Sequence, residues 1–348
     1  MTSSFSGALR ASIGPKGRSC ACSAGKAPSD YDSRVQEKMA SRNRLVRAVA
    51  SATSHLWFPA TLLFARSVPR RAATPLARGV GGAYFRFRPK YLQAIQANLA
   101  VILGEAPDSP AVRRAAAEMV RGHSSVWLDF LAFASRPPPE AAMLVESVVG
   151  FSRLVEGRLK GKGVLLVTAH LGNWEIGGLM LAEVKQPIHV VLVPDMFSGV
   201  ERVRRRLHAR AGVTEIPVDR SFVPTLSVLR ALDDNAIVAM QGDRDFDNTG
   251  IAVPFFGREA YFPRGPLRVA MATGAEVLPA FIVRVPDGRY RAVIEEPLEI
   301  DRSGDRDAAL ARNLARYVAV LERYVRAYPE QWYCFYPFWD DPTRKTDL

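Results

Sequence analysis

A hydroxyl becomes a competent nucleophile when a neighbouring base takes its proton as it attacks. Imidazole is the side chain whose basicity suits that transfer near neutral pH. The chain has five histidines: His55, His123, His170, His189 and His208. His55 lies in a basic N-terminal stretch, His123 in a helical pattern and His189 inside an apolar strand run. His208 belongs to an Arg-rich helix, where solvation is expected. His170 stands apart. It follows the apolar run Val164–Val167 and precedes Leu171-Gly172-Asn173-Trp174-Glu175. Catalytic groups of α/β proteins collect at the carboxyl ends of strands. Gly172 permits a tight or left-handed turn, and Asn173 is suited to cap a helix with Glu175 in its first turn.

Positions five apart lie on different faces of one helix. His170 and Glu175 can therefore meet only if the histidine is on the loop and the glutamate on the helix. A carboxylate on one imidazole nitrogen fixes the tautomer and stabilises the imidazolium that forms during attack. Such a pair suits transfer of an acyl group to a hydroxyl, with no serine or cysteine nucleophile. No Gly-x-Ser-x-Gly elbow occurs, which argues against the usual α/β-hydrolase.

The elements needed to position this pair are legible in outline. Val164–Val167, Ile188–Val193, Ile237–Met240 and Val277–Val283 are continuous apolar runs, expected as strands buried on both faces. Helices are expected at about 199–212, 223–234, 264–273 and 306–328, between and after them. The predicted class is α/β, a central mostly parallel or mixed sheet flanked by helices. Upstream, Leu92, Ile95, Leu99 and Ile102 share a helical face, and a second helix runs from about Pro110 to Ala134. Arg136-Pro137-Pro138-Pro139-Glu140 marks a connector. Three regions follow: a weakly ordered basic tail at 1–40, a helical membrane-associating region at 41–135, and an α/β catalytic domain at 140–340.

Charge supports that division. The net charge is +12, and residues 1–90 hold 16 Lys/Arg against 3 Asp/Glu. A localised basic block calls for a solvated surface or an anionic partner, and nucleic acid and an anionic membrane leaflet are the two usual partners. Arg-flanked residues 43–71 contain Trp57 and Phe58 beside Pro59, which suits two short helices, interfacial or packed on the main domain, better than a span. No run of about 18 apolar residues is present. Cys20, Cys22 and Cys334 make neither a disulfide framework nor a zinc site, so no metal is expected. A non-catalytic basic membrane-binding protein, and a thioesterase or lipid hydrolase using the same dyad, are the alternative readings.

An ordered set of segments resembles a known family. His170-Leu-Gly-Asn-Trp-Glu175 looks like the His-x4-Asp/Glu signature of the lysophospholipid acyltransferase superfamily. It is most similar to the branch of bacterial lipid A biosynthesis (late) acyltransferases and phosphatidylinositol mannoside acyltransferases. Gln241-Gly242-Asp243-Arg244-Asp245, Gly250, Val253-Pro254-Phe255-Phe256-Gly257, Pro263-Arg264-Gly265-Pro266 and Thr273-Gly274-Ala275 follow in order. The ending Pro329-Glu330-Gln331-Trp332-Tyr333 to Phe338-Trp339 also fits. The resemblance covers about residues 40–340.

It implies an O-acyl transfer with His170 and Glu175 as the dyad, and acyl-CoA or acyl carrier protein as co-substrate rather than a cofactor. The implied acceptor is a hydroxyl of a membrane glycolipid or lysolipid. No nucleic-acid partner is implied. The implied location is the cytoplasmic face of a bacterial inner membrane, peripheral or monotopic. Arg244 would face the site, held by Asp243 and Asp245, to bind an acceptor phosphate or the oxyanion. Asn173 and Arg202 are further substrate-contacting candidates. Where lipid A members carry a Tyr-Arg-Pro-like triplet, this chain reads Val193-Pro194-Asp195, with Arg202 and Arg204–Arg206 following.

Overall fold

The computed structural model describes residues 60–134, 143–181, 186–194, 198–218, 223–245 and 249–339. The basic tail, the stretch through Trp57–Pro59, the proline connector and Asp195 lie outside the described residues.

Three helices come first: α1 (Arg70–Arg86), α2 (Pro89–Leu103) and α3 (Pro110–Ala134). Proline at its first position suits α2, because its missing N–H would have had no helical partner there. Gly104 ends α2 in the left-handed conformation. Ser109 caps α3, its hydroxyl accepting from the Val112 amide at 3.2 Å. Helices α1 and α3 cross closely at Gly81, where a Cβ would stand 1.8 Å from the Ser124 hydroxyl. A bidentate ion pair locks them together. Arg70 reaches the two Asp129 oxygens at 2.7 and 3.0 Å, and Tyr290 donates to the same carboxylate at 2.6 Å.

The remainder alternates strands and helices: β1 (Val145–Val149), α4 (Phe151–Leu159), β2 (Val164–Thr168), α5 (Trp174–Leu181), β3 (Ile188–Leu192), α6 (Ser198–Arg210), β4 (Val213–Pro217), α7 (Val223–Asp233) and β5 (Ile237–Gln241). The hairpin β6 (Ile251–Phe255) and β7 (Arg258–Phe262) follows, then α8 (Gly265–Thr273), β8 (Glu276–Arg284), β9 (Tyr290–Ile294) and α9 (Arg306–Ala327). The seven-stranded sheet has the order β1-β9-β8-β2-β5-β3-β4. Every neighbouring pair is parallel except β8 with β9. The α/β class, with helices flanking a mostly parallel sheet, is the one expected.

Strand β2 is central, and its side chains alternate between two cores. Leu165 and Val167 face a large cluster built with α2, α3 and α9. Val164 and Leu166 face a second cluster that includes Leu154 of α4. Buried Asn98 of α2 reaches the C-terminal aromatic segment, donating to the Tyr336 carbonyl at 2.8 Å and accepting from the Phe338 amide at 3.0 Å. Helices 70–134 therefore share a core with the α/β sheet. Trp332, Tyr333 and Phe338 are buried to 1% exposure, so the aromatic tail is core, as its composition suggests.

Candidate active site

Strands β2 and β5 are adjacent and parallel, with Thr168 opposite Gln241. Two residues beyond each lie His170 and Asp243, at the carboxyl end of the sheet. That register brings together side chains 73 positions apart. His170 Nδ1 lies 2.8 Å from Asp243 Oδ1, and Asp243 Oδ2 accepts from the His170 amide at 3.0 Å. The Trp332 indole donates to the same Oδ2 at 3.1 Å. Burial by itself pushes the Asp243 carboxyl up, but His170, these hydrogen bonds and the Arg244 cation bring it down to about 2. An ionised Asp243 fixes the His170 proton on Nδ1 and leaves the basic lone pair on Nε2. Burial and Arg244 lower the His170 pKa, outweighing the pull of Asp243, so the imidazole is held neutral.

The loop carrying His170 is pinned on three sides. The Gly242 amide donates to the Thr168 carbonyl at 2.8 Å, and the Tyr333 amide donates to the His170 carbonyl at 2.9 Å. The Tyr317 hydroxyl also donates to Thr168, at 2.7 Å. Gly172 is left-handed at φ 64°, and a Cβ there would fall 1.7 Å from the Ile282 carbonyl oxygen. No other residue fits so close a backbone approach. Asn173 then caps α5, its side-chain oxygen accepting from the Ile176 amide at 3.2 Å. The capping role expected of Asn173 is met, and it uses the oxygen that an oxyanion-binding role would not need.

The expected geometry of loop histidine and helical glutamate forms, but it does not make the expected pair. The carboxylate on His170 Nδ1 is Asp243. Glu175 Oε1 accepts from the Trp174 indole at 3.2 Å, and Oε2 faces His208 Nε2 at 3.8 Å. The reason is register. Asp243 arrives alongside His170 from a neighbouring strand, whereas the first turn of α5 carries Glu175 toward α6. Burial raises the Glu175 pKa, against the nearby His208 and Arg204. His208 is buried at 3% exposure instead of solvated, and its Nδ1 lies 2.7 Å from Glu215 of β4. Within the Arg-rich run, Arg204 is buried against Glu201 and Glu215, while Arg202 is exposed on the outer face of α6.

Arg244 stands close enough for its charge to lower the pKa of both His170 and His123. Its Nη2 donates to the Tyr333 carbonyl. Asp243 does not hold Arg244 but serves His170, and Asp245 accepts from the Gly250 amide at 3.0 Å. Trp332, Tyr317 and Tyr333 are site residues that spacing alone does not reveal.

Beside the pair, on the α4 and α5 face of the sheet, lies an apolar cavity of about 350 Å³. Thr168 and Trp174, which flank His170, form part of its wall, and the Trp174 ring meets the His170 ring edge-on at 5.2 Å. Leu166, Ala239, Ala280, Ile282 and Ala292 line the sheet side, and Gly177, Gly178 and Met180 the helix side. Small residues on both walls leave the room.

The profile of the family described as "Bacterial lipid A biosynthesis acyltransferase" matches residues 41–340. The chain is 27% identical over 273 residues to a phosphatidylinositol mannoside acyltransferase of Mycolicibacterium smegmatis, covering 76% of this chain and 85% of that one. It is 26% identical over 298 residues to the Mycobacterium tuberculosis protein of the same name, covering 84% and 91%. The profile spans nearly the whole described structure, including the loop of His170, the turn of Asp243 and the aromatic tail. The chain is an acyl-transferring enzyme and belongs to the bacterial lipid A biosynthesis acyltransferase family.

Proposed function

We propose that the enzyme moves a fatty acyl chain from a thioester donor, acyl-CoA or acyl carrier protein, to a hydroxyl of a mannosylated phosphoinositide-type glycolipid. The acceptor class follows the names of the relatives. His170 acts as general base through Nε2, and Asp243 orients the ring and stabilises the imidazolium. The observation that carries the reading is that Trp174, whose ring meets His170, and Thr168, two residues before it, form part of the wall of the apolar cavity. A thioester carbonyl at His170 lets its alkyl chain enter along Thr168 and Trp174. Each buried methylene contributes ~0.8 kcal/mol to holding the chain, and the cavity falls within the ~300–1,000 Å³ usual for ligand sites. The acceptor hydroxyl attacks the carbonyl and gives its proton to His170. The thiolate leaves, taking that proton back. Arg244 supplies positive charge near the tetrahedral oxyanion.

A membrane acceptor requires access from a bilayer. On α1 and just after it, Leu76, Val80, Tyr84 and Phe87 form an exposed apolar stripe, with Arg71, Arg78, Arg86, Arg88 and Lys90 nearby in sequence. That combination suits a helix lying in the headgroup layer. No helix among the described residues is long and apolar enough to cross a membrane. The proposed site of action is the cytoplasmic leaflet of the inner membrane, where such thioester donors are available.

The test is purified protein with labelled acyl-CoA and mannosylated phosphoinositide in vesicles. The expected product is the acceptor with one more acyl chain, and it disappears in His170→Ala. Release of free fatty acid at a rate indifferent to acceptor would overturn the transfer reading in favour of hydrolysis.

A further inference from the structure

On the α3 side of the site, away from the apolar cavity, a group of hydrogen-bond donors converges on one point. Gly122 of α3 has no side chain. A Cβ built there would stand 2.9 Å from the Tyr333 hydroxyl and 3.0 Å from Arg284 Nη2. The absence of that methyl is what lets the phenol and the guanidinium approach the same place. Tyr333 is 1% exposed. Its hydroxyl and the Arg284 Nε are buried without a hydrogen-bond partner among the described residues. Leaving a buried polar group unpaired forfeits the hydrogen bonds it made to water. The unpartnered phenol over this glycine, beside a guanidinium with an unpartnered Nε, therefore marks a place where a partner belongs.

The backbone beneath is rigid. The Arg284 amide donates to the Gln331 side chain at 2.7 Å, and Gln331 donates back to the Arg284 carbonyl at 2.8 Å. The end of β8 and the segment carrying Tyr333 thus move as one piece. A second cation is close by. Arg244 holds the Tyr333 carbonyl, and its own Nε is also buried without a partner among the described residues. His123, next to Gly122, has its pKa lowered to about 3, chiefly by burial and also by Arg244, so it adds no charge; its Nε2 accepts from the Trp127 indole at 3.2 Å. Three carboxylates among the described residues are near: Glu118, one turn before Gly122 and engaged by Arg121, Asp129, engaged by Arg70 and Tyr290, and Glu330, whose charge with that of Asp129 acts on the Tyr333 phenol. Burial keeps the Tyr333 phenol protonated and able to donate.

We propose that Arg284, Tyr333 and the gap over Gly122, together with Arg244, form a subsite for a phosphate ester carried by one of the two substrates. The guanidinium groups can only donate and the protonated phenol donates one hydrogen bond, so the donor-rich complement is an anion with several oxygens at fixed angles. The location suits a group bound to the substrate being acylated. The rings of His170 and Tyr333 both stand on Trp174, with centroids 5.2 and 6.2 Å away, so the anion lies beside the reacting hydroxyl and across from the alkyl chain. The proposal rests on the reading of His170 as the base. The phosphate has two possible sources, the phosphodiester of the acceptor headgroup and the phosphates of the donor.

Calorimetric titration of the full chain with glycerophosphoinositol and, separately, with free coenzyme A distinguishes them. Arg284→Met and Tyr333→Phe are each expected to weaken one of these ligands about tenfold or more, as loss of a charge-assisted or buried hydrogen bond implies. Loss for glycerophosphoinositol assigns the site to the acceptor, and loss for coenzyme A to the donor. Tyr333→Phe removes a hydroxyl with no internal partner, so its thermal midpoint is expected to stay at or above the wild-type value, which separates lost binding from lost folding. Arg284→Lys, which keeps the charge, is expected to recover part of the affinity. Wild-type affinity for both ligands in both variants overturns the proposal, as does wild-type protein that binds neither. His170→Ala is expected to bind as wild type while losing transfer. Retained transfer in that variant defeats the reading of the base and leaves the phosphate site standing.

Discussion

The Nδ1 of His170 and the Oδ1 of Asp243 lie 2.8 Å apart at the ends of two adjacent parallel strands, and the main-chain amide of the same histidine donates to the other oxygen of the same carboxylate. Two bonds between one residue pair fix both ring rotation and ring position. Asp243→Asn keeps the volume but presents an amide, which favours the wrong imidazole tautomer. The turnover number is expected to fall about 100- to 10,000-fold with little change in KM. Glu175→Gln is expected to cost less than Asp243→Asn. Equal losses, or the reverse order, would return the orienting role to Glu175.

The same pair sets a pH profile. Only neutral His170 can take a proton, and burial together with Arg244 lowers its pKa below the ordinary ~6.5. The acidic limb of kcat/KM is therefore expected below pH 6.5. Arg244→Met removes a cation that disfavours the imidazolium, so the limb should move to higher pH whatever the residual rate. A limb that stays in place shows that Arg244 does not act on the base.

Acid stability follows from two depressed pKa values. Asp243 titrates at about 2 in the fold against ~3.9 unfolded, so its contribution is present above pH ~3.9 and is lost as pH falls toward 2. His123 titrates at about 3 against ~6.5 unfolded, so its neutral form favours the fold above pH ~6.5 and becomes a liability as pH falls toward 3. Urea midpoints should decline from pH 6.5 downward. His123→Leu should flatten the upper part of that decline, and an unchanged slope would count against it.

Cavity length is open to a direct test. A Cβ on Gly178, which lines the cavity, would have its nearest neighbours 3.9 Å away, so a Cβ can be added there without a clash. Gly178→Leu should occupy space now open to the alkyl chain and shift donor preference to shorter chains. Each methylene excluded should cost about fourfold in affinity, from ~0.8 kcal/mol per CH₂. Unaltered chain-length preference, measured as kcat/KM across a series of acyl-CoAs, would place the chain elsewhere.

Gly172→Ala addresses the loop itself. The left-handed backbone costs an alanine about 1–2 kcal/mol, before the clash with the Ile282 carbonyl is counted. A lowered melting temperature and a larger loss of turnover are expected together. An active variant of wild-type stability would show that the loop has another accessible shape.

Much of the fold was legible because its strands are continuous apolar runs. The expected runs Val164–Val167 and Val277–Val283 fall within β2 and β8, and the expected helix at 306–328 is α9 over 306–327. Strands β1, β4, β6, β7 and β9 were not read. β4, β6 and β7 each alternate buried with more exposed positions, a weaker signal in five residues. His170 was legible because it follows a strand and precedes a glycine turn. Its carboxylate was not, because local spacing favours Glu175, whereas the choice of Asp243 depends on β5 lying beside β2. Pairing between strands 73 residues apart leaves no trace in the spacing of one segment. His208 was misjudged for a similar reason: its neighbours on α6 are arginines, but its partner Glu215 sits on β4.

The strand order β8-β2-β5 has a consequence for the making of the enzyme. The histidine leaves the ribosome well before the aspartate, and the tryptophan that also grips that aspartate comes near the end of the fold. A chain elongated only through α7 carries His170 with no carboxylate behind it and no Tyr333 amide on its carbonyl. Such a nascent chain has the imidazole without the groups that fix its tautomer and its loop. The set of contacts around the imidazole is complete only when the last aromatic segment docks.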